Sequence, residues 1–142
     1  MLNRISPLLS PDLLKAMAEM GHGDELILSD AHFPAHSCCQ RVIRADGLLV
    51  DQLLGAMLPL FPLDTYATPL IMMAPVKGDS LDLGIEERFM KAIRVHEPAA
   101  PVPARLAREE FYARAKGAYV CVVTGDLAKY GNLILKKGIA QP

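Results

Sequence analysis

A layered α/β fold, with helices covering a sheet, is what this sequence predicts. Apolar residues spaced by three and four take turns along the chain with short, wholly apolar runs, the marks of amphipathic helices and buried strands. Hydrophobic residues fill 51% of 142 positions. That is enough for one core, so a single domain over 1–142 is expected. No internal repeat, low-complexity tract or Gly-rich phosphate loop interrupts the pattern.

Ser10-Pro11-Asp12 joins an N-cap residue, a proline suited to the first helical position and an acid near the positive helix end. A helix starts there, carries Leu13, Leu14, Met17 and Met20 at helical spacing, and stops at Gly21. Glu25 to Ser29 is short and apolar, a buried strand ending at Asp30. Ala31 to Gln40 holds Pro34 and no stable period, and reads as an ordered loop. Val42 and Ile43 begin a short strand before the Asp46-Gly47 turn. Leu49, Leu53, Leu54, Met57 and Leu58 share one helical face until Pro59 and Pro62 end it.

Pro69 to Val76 reads as a central strand, and Leu83 to Arg94 as a helix turning Ile85, Phe89 and Ile93 inward. Glu97 to Pro103, with three prolines, is a stiff connector. An amphipathic helix follows over Arg108 to Lys116, then a buried strand from Tyr119 to Val123. Gly125 to Lys129 makes a turn before the apolar run Asn132 to Leu135.

Fifteen Lys and Arg against sixteen Asp and Glu give a net charge of -1, so there is no basic field for a nucleic acid backbone. A mean hydropathy of +0.22 raises the question of a membrane. A helical span needs roughly 20 apolar residues in a row, and the best stretch, Leu48 to Phe61, is broken by Asp51, Gln52 and Pro59. No membrane partner is expected. The N-terminus shows no signal-peptide pattern, which points to the cytoplasm. Three cysteines, with Cys38 and Cys39 adjacent, form no paired framework and lack zinc spacing, so they read as free thiols. The apolar excess favours burial against other subunits.

Three of four histidines fall between positions 22 and 36. His22 lies between two glycines, where backbone can approach a ligand closely. The strand after it would hold it about 15 to 20 Å from Asp30 unless the glycines fold it back. Helix capping and loop tethering are the plainer roles for any one of these histidines, and Asp24 reads as a turn residue. Metal binding is the sharper rival, but the spacings match no zinc pattern. Lys129-Tyr130-Gly131-Asn132 offers a phenol, an unhindered backbone and a side-chain amide in succession, a set suited to sugar hydroxyls or to an ordinary turn leading into a strand. Arg108, or its competitor Arg105, could fix a hydroxyl or cap a helix surface.

Four blocks together resemble the D-ribose pyranase and fucose mutarotase family. They are Met20 to Glu25, Ser29 to His36, Val42 to Gly47 and Ala128 to Asn132. The likeness runs from Ile5 to about Gly138 in order and spacing, except across the proline-rich connector. It implies a three-layer α/β/α subunit with a central sheet that assembles into a homo-oligomeric ring, a decamer in relatives, with active sites at subunit contacts. It further implies a monosaccharide substrate, L-fucose, whose α and β anomers interconvert without metal or organic cofactor. By position in the matching blocks, His22 is the proton donor, Asp30 binds the sugar, and Tyr130, Gly131 and Asn132 complete the pocket. The family arginine falls at Arg108 when Phe111-Tyr112 anchors the comparison, with Arg105 as the alternative; Cys38-Cys39 departs from the pattern. In this expectation Tyr130, Gly131 and Asn132 of one subunit meet His22 and Asp30 of a neighbour. Pyranose/furanose exchange on D-ribose and a non-catalytic sugar-binding module are the alternatives. The group that accepts the second proton is left open among Asp30, a water and His22 after ring opening.

Overall fold

The computed structural model describes all residues 1–142. In chain order its elements are α1 (Pro11–Glu19), β1 (Glu25–Ser29), α2 (Ala35–Cys38), β2 (Val42–Ala45), α3 (Val50–Met57), β3 (Leu70–Met73), α4 (Leu83–His96), β4 (Ala104–Leu106), α5 (Arg108–Gly117), β5 (Val120–Thr124) and β6 (Leu133–Lys136). The six strands form one sheet in the order β2-β5-β1-β6-β3-β4. All pairings are parallel except those of β6, which runs antiparallel between β1 and β3.

The period-two alternation of the strands divides the core into two layers. Leu26 and Leu28, Leu70 and Met72, Val120 and Val122, and Leu133 and Leu135 face α1, α3 and α4. Ile27, Ile71, Met73, Cys121, Val123 and Ile134 face the other way, onto Ala35 of α2 and Phe111 and Ala115 of α5. Strands buried on both faces are why these runs read as continuously apolar. The result is a three-layer α/β/α domain. No helix is long and apolar enough to cross a membrane.

The helix ends follow their local chemistry. Ser10 Oγ accepts the Leu13 N–H at 3.2 Å, with Pro11 opening α1. At α3 the cap comes from far along the chain: Asp126 accepts the Val50 N–H at 3.3 Å, while Gln52 accepts that of Leu49 at 2.8 Å. Arg88 of α4 bridges Asp126 and Asp51, tying α3, α4 and the turn after β5 together. A cap of this kind contributes on the order of 1 kcal/mol.

Two elements differ from the sequence expectation. The loop after Asp30 contains the single helical turn α2, started by Pro34, whose carbonyl accepts the N–H groups of Ser37 and Cys38. Four residues are too few to show a period. The stiff connector ends in β4, a three-residue edge strand on β3, also too short to show alternation. β3 itself stops at Met73, ahead of Pro75, which has no N–H to continue a ladder.

The turn after β5 is set by contact with the turn after β2. A Cβ on Gly125 would stand 2.0 Å from the Asp46 carbonyl oxygen. The next residue, Asp126, accepts the Ala31 N–H at 2.8 Å, so this contact fixes the surroundings of Asp30. Gly125→Ala is therefore expected to lower unfolding free energy by about 2 kcal/mol or more, read as a fall in the urea midpoint.

Candidate functional site

The C-terminal ends of the parallel strands and the N-terminal end of β6 lie at one edge of the sheet, where α/β sheets commonly bind ligands. A cavity of about 310 Å³ opens there. Asp30 follows β1, Met73 ends β3, Arg108 opens α5, and Tyr130 and Asn132 lie on the loop into β6; all line it, together with Asp79.

Asp30 and Asn132 are buried and locked to each other. The Asp30 N–H donates to Asn132 Oδ1 and Asn132 Nδ2 donates to Asp30 Oδ2, each at 3.0 Å. The His32 N–H donates to the other carboxylate oxygen at 2.9 Å. Burial pushes the Asp30 carboxyl above its ordinary value, opposed by the His32 N–H, the His32 charge and the Asn132 amide. Asn132 keeps a second amide hydrogen for a ligand.

Tyr130 sits in the left-handed region at φ 61°. The tight turn that places it needs Gly131, because a Cβ there would lie 2.8 Å from the Ala128 carbonyl oxygen. Its phenol donates to Asp79 at 2.8 Å and accepts the Val76 N–H at 3.2 Å. Lys129 also pairs with Asp79. Lys129 and Tyr130 together bring the Asp79 carboxyl down to about 2. The phenol proton is thus committed to Asp79, and what Tyr130 offers a ligand is its ring and backbone.

Of the two candidate arginines, Arg108 lines the cavity, its guanidinium carbon 6.0 Å from the Tyr112 ring centre. Arg105 is committed elsewhere, donating to the Met73 carbonyl at 2.9 Å and to Glu86 at 2.5 Å. His32, Phe33 and Pro34, from the histidine-rich segment, also line the cavity. Asp79 carried no sequence signal, because it looks like a turn residue, and Tyr112 entered only as part of the Phe111-Tyr112 anchor for Arg108. Cys38 and Cys39 pack against the α5 side of the core, and all three cysteines are free thiols.

His22 is not in this cavity. The glycines do not fold it back; β1, rising about 3.3 Å per residue, stands between it and Asp30. Its Nε2 lies 3.0 Å from Asp64 Oδ1 at the opposite edge of the sheet. The expected division between subunits therefore changes. Asp30 belongs with Tyr130, Gly131 and Asn132 of its own chain, and His22 alone is separate.

The sequence profile of the RbsD / FucU transport protein family matches residues 3–140. The fucose mutarotase of Streptococcus pneumoniae, in complex with L-fucose, is 42% identical with a TM-score of 0.92, over 99% of this chain and 100% of that one. FucU from Bifidobacterium longum is 40% identical with a TM-score of 0.91, over 96% and 99%. RbsD of Bacillus subtilis, complexed with D-ribose, shares the fold at 19% identity and a TM-score of 0.72, over 99% and 100%.

The Asp30 carboxyl should titrate above an ordinary aspartate in carbon-13 NMR. Asn132→Ala should move it further up, because the amide that favours the ionised form is lost. A titration at the ordinary value in both proteins would contradict this account.

Proposed function

Because the chain belongs to the RbsD/FucU family, we propose that it is an L-fucose mutarotase, an isomerase that interconverts the α and β anomers by assisted ring opening. The observation that carries this reading is the full-length likeness, at 42% identity, to a fucose mutarotase in complex with L-fucose. A cavity lined by a buried carboxylate, an amide and an arginine suits a small polyol.

Ring opening breaks the bond between the anomeric carbon and the ring oxygen. A proton is delivered to that oxygen, the anomeric hydroxyl gives one up, and an open-chain aldehyde results. Rotation and closure on the other carbonyl face reverse both transfers, with no net change in protons. On this reading Asp30, Arg108, Tyr130, Gly131 and Asn132 hold the sugar and His22 supplies the proton. Such assistance gives about 10² to 10⁴-fold, enough to hasten a reaction that already proceeds in water.

His22 lies at the far edge of the sheet from its own cavity, so the proton donor in each site comes from a second copy of the chain. A cytoplasmic homo-oligomeric ring, a decamer, is the assembly we propose. Exposed Leu2, Tyr66, Leu127 and Ile139 supply apolar surface for such contacts, and three free cysteines suit a reducing compartment.

Saturation-transfer NMR should show magnetisation passing between fucose anomers faster with protein than without. D-ribose in the same measurement reads pyranose/furanose exchange. Lack of acceleration with fucose would remove the assignment. His22→Gln should lose most of the exchange while still binding fucose; unchanged exchange would remove His22 as donor. Co-assembled His22→Gln and Asn132→Asp chains should recover about a quarter of wild-type activity, the share of sites that random mixing leaves intact. Asp30→Asn with Asn132→Asp should recover none, since both lesions fall in one half-site.

A further inference from the structure

β3 ends at Met73 and α4 begins at Leu83, and the segment between them forms part of the cavity wall through Val76 and Asp79. It builds one turn of its own. Gly78 takes a φ of 86°, the Asp79 N–H donates to the Val76 carbonyl at 3.0 Å, and Asp79 Oδ1 accepts the Ser80 N–H at 2.9 Å. Beyond that turn, every hydrogen bond or ion pair that residues 75–81 make with the rest of the chain ends on Lys129 or Tyr130.

One oxygen carries most of this. The Tyr130 phenol accepts the Val76 N–H at 3.2 Å and donates to Asp79 Oδ2 at 2.8 Å. A backbone N–H can only donate, so the phenol meets Val76 with a lone pair and needs an acceptor for its one proton. Asp79 is that acceptor. Lys129 and Tyr130 keep its carboxyl ionised at neutral pH, and an ionised carboxylate accepts hydrogen bonds and donates none. The Lys129 side chain is 70% exposed, so its ion pair contributes little, and the charge-assisted bond from the phenol is the firmer tie.

We infer that Asp79 is a positioning residue for mutarotation: by accepting the Tyr130 proton it clasps segment 75–82 to the loop before β6, so that the walls carrying Val76 and Tyr130 stand at a fixed separation before the sugar arrives. This rests on the mutarotase reading of the cavity. Tyr130 is the fixed side of the clasp, because the close approach of Gly131 to the Ala128 carbonyl sets its turn. The segment is the side restrained. Since it is ordered on folding, binding need not order it. Such a clasp acts alike on bound sugar and transition state, so its loss shows in the substrate concentration required and not in the limiting rate.

The test compares Asp79→Ala, Tyr130→Phe and the double variant in the assembled protein. Each single variant should raise the fucose concentration for half-maximal exchange by about fivefold or more, with the limiting exchange rate within about twofold. The double variant should be no weaker than the weaker single, because both remove one bond. Backbone hydrogen exchange at Val76, a readout that needs no sugar, should quicken by about tenfold or more in both singles. An unchanged Asp79→Ala affinity beside a weakened Tyr130→Phe would put the phenol on the sugar itself and overturn the inference. So would additive losses, or Val76 exchange at the wild-type rate in both singles. A wild type that accelerates no fucose exchange would instead remove the mutarotase reading, while Val76 exchange would still judge the clasp. Should Asp79→Ala fail to fold, Tyr130→Phe decides: weakened fucose binding with Val76 still protected would overturn the inference.

Discussion

The antiparallel run of β6 between two parallel neighbours is the constraint from which both polar clusters follow. A strand in that direction begins where β1 and β3 end, which sets Asn132 beside Asp30. It ends where β1 begins, which carries Lys136 to Gly138 to the His22 turn and the Asp64 segment. Had β6 run parallel, its leading loop and trailing residues would have exchanged edges. Neither cluster would then exist. The strand is buried along most of its length, with Leu133, Ile134 and Leu135 inaccessible to solvent, so hydrophobic packing on both faces fixes the register that the polar groups use.

Two carboxylates sit in contrasting surroundings at the two edges. Asp30 is buried inside a cavity wall and its charge is disfavoured, in spite of two hydrogen bonds to its oxygens. Asp64 is also buried by its neighbours, but a backbone N–H and an imidazole face it, and its charge is favoured. Each carboxylate faces a backbone N–H and a second donor; at Asp30 burial outweighs them, and at Asp64 the hydrogen bonds outweigh burial. A carboxylate with a partly frustrated charge gains from hydroxyl donors brought by a ligand, and this suits a sugar-holding group. One with a settled charge suits the orienting of a histidine.

Much of this was legible in the sequence because the relevant signals are local. Ser10-Pro11 announced α1, the apolar runs announced β1, β3, β5 and β6, and the histidine-rich segment pointed to a wall of the cavity. What escaped were features made by distant contacts or by very short elements. α2 and β4 have four and three residues, too few for a period. Asp79 and Asp64 gain their meaning from Tyr130 and His22, 51 and 42 residues away. Arg105 is likewise held by Glu86 and the Met73 carbonyl, partners that no spacing rule links to it.

The separation of His22 from the cavity also has a mechanistic side. A donor and a sugar-holding carboxylate built into one chain edge would pair with each other in the absence of substrate, because an imidazolium and a buried carboxylate attract strongly at low dielectric. Such a pair would settle the charge on Asp30 and occupy the donor, so that a sugar would have to break it before reacting. Holding the two at opposite edges of a sheet lets each keep its own partners during folding: Asn132 for Asp30, Asp64 for His22. On the reading proposed here they meet only when copies of the chain assemble. The donor then arrives already paired with its own carboxylate, and Asn132 is already locked to Asp30. Little reorganisation is left for the moment of reaction, the condition under which fixed dipoles and charges lower a barrier most.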